Sequence, residues 1–240
     1  MARRAQGFTI IETSLVLAIT GLIVFGILFG IGNALNSQRY TDAVNQMVDF
    51  FRGQYTQITS TVNDRAPNTT TCTPSGDGIR GASDCLLTGR IVRGSSDGVL
   101  RVYRLIAKTD PSRNPSITIS NNDNEILAAS TLSQDPTIID SYSPEWGAKL
   151  TPAGSSATAE FTLMVVRTPI SGTVHTFTSG SSTTPLTDLI DSAVVPQNDR
   201  SFCMDPGGSY LVGAGRVGIR IQKDAANTTG VQTIASGSCA

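Results

Sequence analysis

Hydrophobic residues are concentrated near the start of the chain, where twenty consecutive residues from Thr13 to Gly32 carry no charge. A helix of that length, at about 1.5 Å rise per residue, crosses the roughly 30 Å hydrocarbon core of a bilayer. Between Arg4 and Arg39 the only ionisable side chain is Glu12, near one end of this run. A charged residue costs about 2.5 kcal/mol or more at the centre of a membrane helix and less toward the interface, so Glu12 is expected to have a partner. The pattern predicts a membrane-spanning helix.

Beyond this run the apolar positions become periodic and recur every three or four residues, at Tyr40, Val44, Met47, Phe51, Tyr55, Ile58 and Val62. This spacing places them on one face of a helix. Polar residues take most of the other positions, namely Gln38, Arg39, Asp42, Asn45, Asp49, Arg52 and Gln54. We therefore expect one continuous helix over residues 8–62, roughly 80 Å long, whose first half lies in lipid and whose second half packs on a sheet.

The rest of the chain reads as strands and turns. Leu86–Arg93 and Val99–Ala107 flank the turn residues Gly94–Gly98, which is a hairpin signal, and residues 63–84 before them read as a loop. Further strands are expected at residues 117–119, 159–168 and 173–177, and a short helix at 186–195. The stretches 201–208, 210–212 and 215–221 are expected to alternate strand and turn. The predicted fold class is α+β: a long N-terminal helix, transmembrane and then amphipathic, packed on an antiparallel sheet in a head that comprises residues 63–240.

Composition and charge narrow the functional classes. Charged residues make up 15% of the 240 residues and the formal net charge is −1, which gives no general affinity for nucleic acid. The second half is rich in Ser, Thr, Asn and Gly, which suits strands and loops outside the cell. One head domain is the simpler expectation for a chain of this length.

Four cysteines, Cys72, Cys85, Cys203 and Cys239, all follow the membrane segment. An even number in an exported domain indicates disulfides, and three pairings are possible. We favour Cys72 with Cys85 and Cys203 with Cys239, because each pair brackets a loop-rich segment; each closure contributes roughly 3 to 4 kcal/mol. A zinc site is disfavoured because no two cysteines have the short spacing of such sites and His175 is the only histidine.

The N-terminal motif carries the clearest functional signal. A short basic leader with Arg3 and Arg4 precedes Gly7-Phe8-Thr9-Ile10-Ile11-Glu12 and then the apolar run. This arrangement resembles the class III signal of type IV prepilins and of the pseudopilins of type II secretion. The glycine, the phenylalanine and the glutamate all stand at that family's spacing, although the motif covers only about a tenth of the chain.

The resemblance implies a processing route and a location. A prepilin peptidase would cut between Gly7 and Phe8, remove residues 1–7 and leave a Phe8 amine that is often methylated. The subunit would be a single-pass protein of the bacterial envelope with an extracytoplasmic head, exposed at the surface after assembly with other pilin subunits by the pilus machinery. Its cleavage would change the net charge from −1 to −3, because Arg3 and Arg4 are lost.

The same resemblance gives Glu12 a role in assembly. In a filament of staggered helices, the carboxylate of one subunit can meet the Phe8 amine of another, and such a pair recovers desolvation energy only in a good geometry. One departure from the family is that no proline precedes Pro67, where pilin helices often loosen. Gly26 and Gly30 form a GxxxG spacing that lets membrane helices approach closely.

No enzyme, cofactor or metal site is indicated. The glycine pairs near residues 207–215 lack the lysine and the following helix of a phosphate-binding loop. A Ser-His-Asp site lacks its elements, and the single His175 alternates within a threonine-rich strand as an exposed or edge residue would.

A basic stretch suggests a weak affinity for DNA. Seven basic residues against three aspartates lie between Arg80 and Arg113, a local net charge of +4. Arg101 and Tyr103 share one strand face, and with Arg104 they are the candidate contacts to backbone and bases. A solvated sheet face with scattered arginines is the competing interpretation.

Several functional alternatives remain open at this stage. The favoured one is a minor subunit of a type IV pilus or related filament; a type II secretion pseudopilin is the close alternative. A membrane-anchored binding module that never polymerises is the alternative from another class. An ordinary secretory signal or a plain signal anchor would also place an apolar helix here, but neither requires a glutamate within the apolar run.

Overall fold

The computed structural model describes residues 9–60, 85–109, 127, 130–168, 171–191, 198–207 and 216–239. In these ranges it contains one long N-terminal helix and two antiparallel sheets, so the α+β class is confirmed at that level. The expectation of a single sheet in the head was too simple. The predicted loop at 63–84 and the predicted strands at 117–119 and 210–212 lie outside the described residues.

Helix α1 comprises Ile10–Thr59 and is uninterrupted over its 50 residues, about 75 Å at 1.5 Å per residue. It begins after Thr9, whose extended backbone and side-chain oxygen cap the first turn. Its end at Thr59 is followed by the loop composition that the sequence predicted. The single helix expected over 8–62 is confirmed apart from the residues at its two ends, of which Phe8, Thr61 and Val62 are not described.

The larger sheet contains the predicted hairpin. Strands β1 (Cys85–Gly94) and β2 (Leu100–Thr109) pair antiparallel across a turn closed by the hydrogen bond from Gly98 N–H to Ser95 O, 2.9 Å. The other strands of this sheet are β3 (Ser130–Tyr142), β5 (Phe161–Arg167) and β6 (Val174–Ser179), in the order β3-β2-β1-β5-β6. The predicted strands at 159–168 and 173–177 are confirmed with slightly shifted ends.

The smaller sheet has the order β4-β7-β8-β9. Its strands are β4 (Lys149–Pro152), β7 (Arg200–Asp205), β8 (Gly218–Ile221) and β9 (Val231–Ile234). The predicted alternation of strand and turn after Ser201 corresponds to β7 and β8 in the residues that the structure describes. Strands β3, β4 and β9 were not predicted from the sequence. A short helix α2, Leu186–Ile190, confirms the first part of the one expected at 186–195.

The C-terminal part of α1 is enclosed by both sheets. The predicted apolar stripe is buried at Tyr40, Val44, Met47, Phe51 and Tyr55, and Ile58 is partly buried against the same core. The stripe packs on Phe161, Leu163 and Val165 of the larger sheet. From the smaller sheet it meets Phe202, Met204, Ile219, Ile221 and Val231. Burial of this face holds the helix in the head, since burying each such side chain contributes roughly 1.5 to 3 kcal/mol.

The opposite face of the larger sheet has a core of its own. It is built from Ile91, Leu105, Met164, Val166 and Phe177 together with Leu127, Leu132 and Leu189 of α2. The alternation of side chains along each strand therefore fills both faces of the sheet. For the same reason β5 is buried from Phe161 to Val166 rather than at alternate positions.

Cys203 and Cys239 form a disulfide that closes a segment with a sequence separation of 36. The bond joins β7 to the short 3₁₀ turn Ser236–Cys239 after β9 and so crosses β8. Chain-entropy arguments give it about 4 kcal/mol of stabilisation. This predicted pair is confirmed. The predicted pair Cys72–Cys85 rests on Cys72, which lies outside the described residues.

Candidate functional site: the exposed half of helix α1

The N-terminal half of α1 makes no contribution to the core of the head. Every residue from Thr9 to Leu35 is exposed, and the apolar side chains cover all sides of the helix. The large ones are Ile10, Ile11, Leu15, Val16, Leu17, Ile19, Leu22, Ile23, Val24, Phe25, Ile27, Leu28, Phe29, Ile31 and Leu35. A helix that is apolar on all sides requires an apolar environment, because contact between so large an apolar surface and water is unfavourable. By length and composition α1 can cross a membrane.

Three hydroxyl groups in this half are hydrogen-bonded within the helix. The hydroxyl of Thr20 donates to the carbonyl oxygen of Val16 at 2.8 Å, and that of Ser14 donates to the carbonyl oxygen of Ile11 at 2.9 Å. Thr13 makes the same kind of bond to Ile10 at 3.0 Å. Hydroxyls bonded in this way can enter hydrocarbon without an unpaired donor.

Glu12 lies in the first turn of α1, where its carboxylate is exposed and the helix dipole favours a negative charge. Its backbone N–H donates to the Oγ1 of Thr9 at 3.3 Å. Thr9 and Glu12 occupy the N-cap and N3 positions, and this bond is the N-cap half of a capping box. The cap was not predicted, although the Thr-x-x-Glu spacing is visible in the sequence. Gly7 and Phe8, the predicted processing residues, lie outside the described residues.

Gly26 and Gly30 leave one side of the exposed half flat. A Cβ added at either position would meet nothing within 4 Å. Residues four apart lie on the same helix face, so the two glycines form a shallow surface that another helix can approach. Among the residues that the structure describes, no other element occupies this surface.

The transition from exposed to buried helix occurs at Tyr40. Its hydroxyl donates to the carbonyl oxygen of Met204 at 2.9 Å and accepts the backbone N–H of Val217 at 2.7 Å. Burial raises the pKa of Tyr40 above its usual value. One side chain of α1 therefore connects the end of β7 to the segment leading into β8. The sequence predicted an apolar position here but not its hydrogen bonds.

Further contacts fix the C-terminal half of α1 to both sheets. The Tyr55 hydroxyl and Thr176 Oγ1 of β6 are 3.0 Å apart, and the Thr176 hydroxyl donates to Ala225 O at 2.6 Å. Arg52 donates to Val231 O of β9 at 3.1 Å. Burial raises the pKa of Tyr55 to about 12. The helix is thus linked to the head by hydrogen bonds as well as by its apolar stripe.

Gln54 corrects one detail of the predicted helix pattern. It was assigned to the polar side of α1, yet its side chain is buried. Its Nε2 donates to Phe50 O at 3.1 Å, and its Oε1 accepts from Arg90 of β1 at 3.4 Å. A buried amide satisfied on both ends is compatible with a core position.

The structure separates the three candidate DNA contacts. Arg101 and Tyr103 share the face of β2 that points away from α1, as expected, but Arg104 lies on the opposite face. Its side chain is 12% exposed, and its guanidinium lies 3.8 Å from the buried carboxylate of Asp135. Arg101 forms an ion pair of 2.5 Å with Asp97, and this hydrogen bond holds the pKa of that carboxyl well below its usual range. The three residues therefore do not form one surface.

Two other predicted features can be located. His175 lies on β6, an edge strand as expected; its side chain is 15% exposed and its Nδ1 is 2.7 Å from Asp224 Oδ1. Among the residues that the structure describes, no group of three His, Cys, Asp or Glu side chains could hold a metal ion.

Comparison with known proteins adds no relative to this description. No protein-family model, no curated protein and no solved structure matches the chain. The functional argument therefore rests on the motif and the geometry of α1.

Proposed function

We propose that this chain is a structural subunit, most simply a minor pilin, of a type IV pilus or related filament. In this proposal prepilin peptidase removes residues 1–7, the exposed half of α1 is first held in the membrane, and the same half later packs against other subunits. The chain then acts as a building block rather than as an enzyme, with its head outside the cytoplasm.

The observation that carries the proposal is the division of one continuous helix into two environments. From Thr9 to Leu35 the helix is bare and apolar, while from Tyr40 to Tyr55 it belongs to the core of the head. A filament built on a helical core needs this combination, because the bare half must pack against neighbours while the head remains rigidly attached. Glu12 lies in the first turn of α1, four residues along the chain from the Phe8 amine that cleavage would create.

A secretory signal that is cleaved after the apolar run fits this geometry less well. A cut near Gly30–Gly32 would fall inside an unbroken helix that continues into the buried segment at Tyr40. A plain signal anchor accounts for the apolar surface, and the helix N-terminus by itself favours a carboxylate in its first turn. What favours a filament subunit over an anchor is the Gly7-Phe8 processing motif that directly precedes this turn.

A type II secretion pseudopilin remains the alternative within the same class, since it would share the processing motif and the helix. Deletion of the gene distinguishes the two: loss of surface filaments supports the pilus, and retention of secreted enzymes inside the envelope supports the secretion system. A membrane-anchored binding module that never polymerises is the second alternative.

The decisive experiment is the mass of the N-terminal peptide from protein purified out of sheared surface filaments. The proposal expects a chain that begins at Phe8, methylated or not, in the filament fraction. Gly7→Ala serves as the control, because it is expected to block cleavage and leave the chain in the membrane fraction. A wild-type chain that begins at Met1 or Ala2 and never enters filaments would favour the anchored binding module.

A further inference from the structure

Trp146, the only tryptophan of the chain, stands on the outside of the head beside α1. Its side chain is 52% exposed, and the guanidinium carbon of Arg39 lies 4.9 Å from the centre of its ring. Arg39 is itself exposed and is the first charged residue of α1 after Glu12. A large aromatic side chain and an arginine are therefore paired in solvent next to the end of the apolar helix surface.

The loop between β3 and β4 holds the ring in this place. Trp146 has a φ of 59°, in the left-handed region that bulky residues rarely adopt, and Gly147 follows with a φ of 71°. The turn is closed by the hydrogen bond from Ala148 N–H to Glu145 O at 3.1 Å, and Ala148 is buried. A side chain on Gly207 would collide with the carbonyl of Gly147, so this turn packs directly on the end of β7. An unfavourable backbone conformation that presents an exposed indole suggests a function for the indole.

The height of the pair along α1 identifies a surface that it can meet. Leu35 is the last large apolar residue of the exposed half, and Arg39 follows four residues later, about 6 Å along the axis. The polar layer on each side of a bilayer core is roughly 5 to 8 Å thick. If Leu35 lies at the edge of the core, about twenty residues, Val16–Leu35, fill its roughly 30 Å. Trp146 and Arg39 then lie at the level of the lipid headgroups.

We propose that Trp146 and Arg39 form a contact with the headgroup layer of the bilayer in which α1 is anchored before assembly. This inference rests on the membrane insertion of α1, which is part of the proposed function. Tryptophan favours the membrane interface because one part of its ring system is apolar and its N–H needs a polar partner, and arginine extends its charge to the same layer. The contact limits the tilt of the head against the membrane.

The charges around the pair indicate which lipid chemistry suffices. The exposed charged residues next to it in sequence are Asp42, Glu145 and Lys149, which together with Arg39 contribute no net charge. Attraction to an anionic surface requires an excess of basic residues. The contact is therefore expected with zwitterionic phosphatidylcholine.

Because the chain has a single tryptophan, its fluorescence reports on this contact directly. The full-length protein is reconstituted into phosphatidylcholine vesicles whose acyl chains are brominated either close to the headgroup or close to the terminal methyl. Two reference proteins carry Trp146→Phe together with a new tryptophan: Phe25→Trp within the apolar run, and Ile138→Trp at a position that is 48% exposed on β3. Thermal unfolding of each variant verifies that the head is folded.

The expected result is that shallow bromines quench Trp146 about twofold more strongly than deep bromines. The Phe25→Trp protein should show the reverse order, and the Ile138→Trp protein should be quenched by neither. The inference is overturned if Trp146 is quenched no more than the Ile138→Trp reporter while deep bromines quench Phe25→Trp. That result would leave the membrane anchor intact. Absence of quenching at Phe25→Trp would overturn both.

Discussion

The hydroxyl of Tyr40 in α1 accepts a hydrogen bond from the backbone N–H of Val217, 2.7 Å away, and donates another to Met204 O. These two backbone groups belong to the end of β7 and to the segment that enters β8. These hydrogen bonds lie at the boundary between the exposed and the buried half of α1. They therefore oppose a force that pulls α1 out of the head.

Tyr40→Phe should therefore destabilise the head by about 1 to 3 kcal/mol, because it leaves a buried carbonyl and an N–H without their partner. Denaturant unfolding followed by circular dichroism measures this change. Tyr142→Phe is the matched control: among the described residues the buried hydroxyl of Tyr142 has no hydrogen-bond partner, so its removal should be neutral or stabilising. Equal losses in the two variants would contradict the anchoring role of Tyr40.

Gly218→Ala should lower the stability of the head, because Gly218 lies where the Cys203–Cys239 disulfide crosses β8. Gly218 pairs with Cys203 on one side and with Ile234 on the other. A Cβ at this position would collide with the Ile234 side chain and lie 3.2 Å from the Sγ of Cys239. We expect a loss of about 1 to 3 kcal/mol, as for overpacked cores.

Gly53→Ala is the control for this substitution, since a Cβ on that helical glycine would meet nothing within 4 Å. It should raise stability by up to about 1 kcal/mol through helix propensity. If both alanine variants change the unfolding midpoint in the same direction, the crowding assigned to Gly218 is wrong.

Stability of the head should fall as the pH rises from about 10 to about 12. Burial raises the pKa of Tyr55 from its usual value of 10 to about 12, so in this window the folded state retains a proton that the unfolded state has lost. Below the usual value both states are protonated and stability does not change from this cause. Two pH units correspond to about 2 to 3 kcal/mol at most.

The measurement is the denaturant midpoint as a function of pH, taken quickly enough that the disulfide survives. Tyr55→Phe should lower stability at neutral pH, since Thr176 loses its partner, but should reduce the slope above pH 10. Tyr40 and Tyr142 also have raised pKa values because of burial, so part of the slope should remain. An unchanged slope would contradict the assignment to Tyr55.

Glu12→Val should leave membrane insertion and cleavage intact, or improve insertion, yet impair incorporation into filaments. The carboxylate lies in the first turn of an exposed helix, where a neighbouring subunit's Phe8 amine can pair with it and set the axial register. Glu12→Gln keeps the shape and polarity and removes only the charge, so it should show the same defect. Immunoblots of sheared filaments and of membranes measure both steps; incorporation of Glu12→Val at the unmodified level would remove the register role.

Affinity for DNA, if Arg101 carries it, should be weak and sensitive to salt, and it should depend on Asp97. That carboxylate pairs with the Arg101 guanidinium at 2.5 Å and competes with any phosphate. Asp97→Asn should therefore strengthen binding a few-fold, about 1 kcal/mol, and Arg101→Glu should abolish it. Gel shifts of the full-length protein in detergent at low salt test both variants.

Arg104 is unsuitable for this test because it faces the helix side of the sheet beside buried Asp135. No shift at low salt for the unmodified chain would count against binding.

Features that depend on a local pattern of residues could be predicted from the sequence. One helix with an exposed half and a buried half was predicted from two patterns. These are the uncharged residues from Thr13 to Gly32 and the periodic stripe that begins at Tyr40. The Gly94–Gly98 segment between two apolar runs fixed the first hairpin. Each of these signals lies within a few turns of helix or a pair of adjacent strands, so it needs no information about distant residues.

Features that depend on residues distant in the chain are visible only in the tertiary structure. Strand β3 is polar and contains Pro136, so no pattern predicts it; it forms because it can pair along β2 at the edge of the sheet, where a missing N–H is tolerated. The surroundings of Arg104 could not be predicted either. Alternation along β2 places Arg104 and Tyr103 on opposite faces of the sheet, but only the packing of α1 determines which face is covered. Tyr40 and Val217 are far apart in the chain, and their hydrogen bond exists because two sheets enclose one helix.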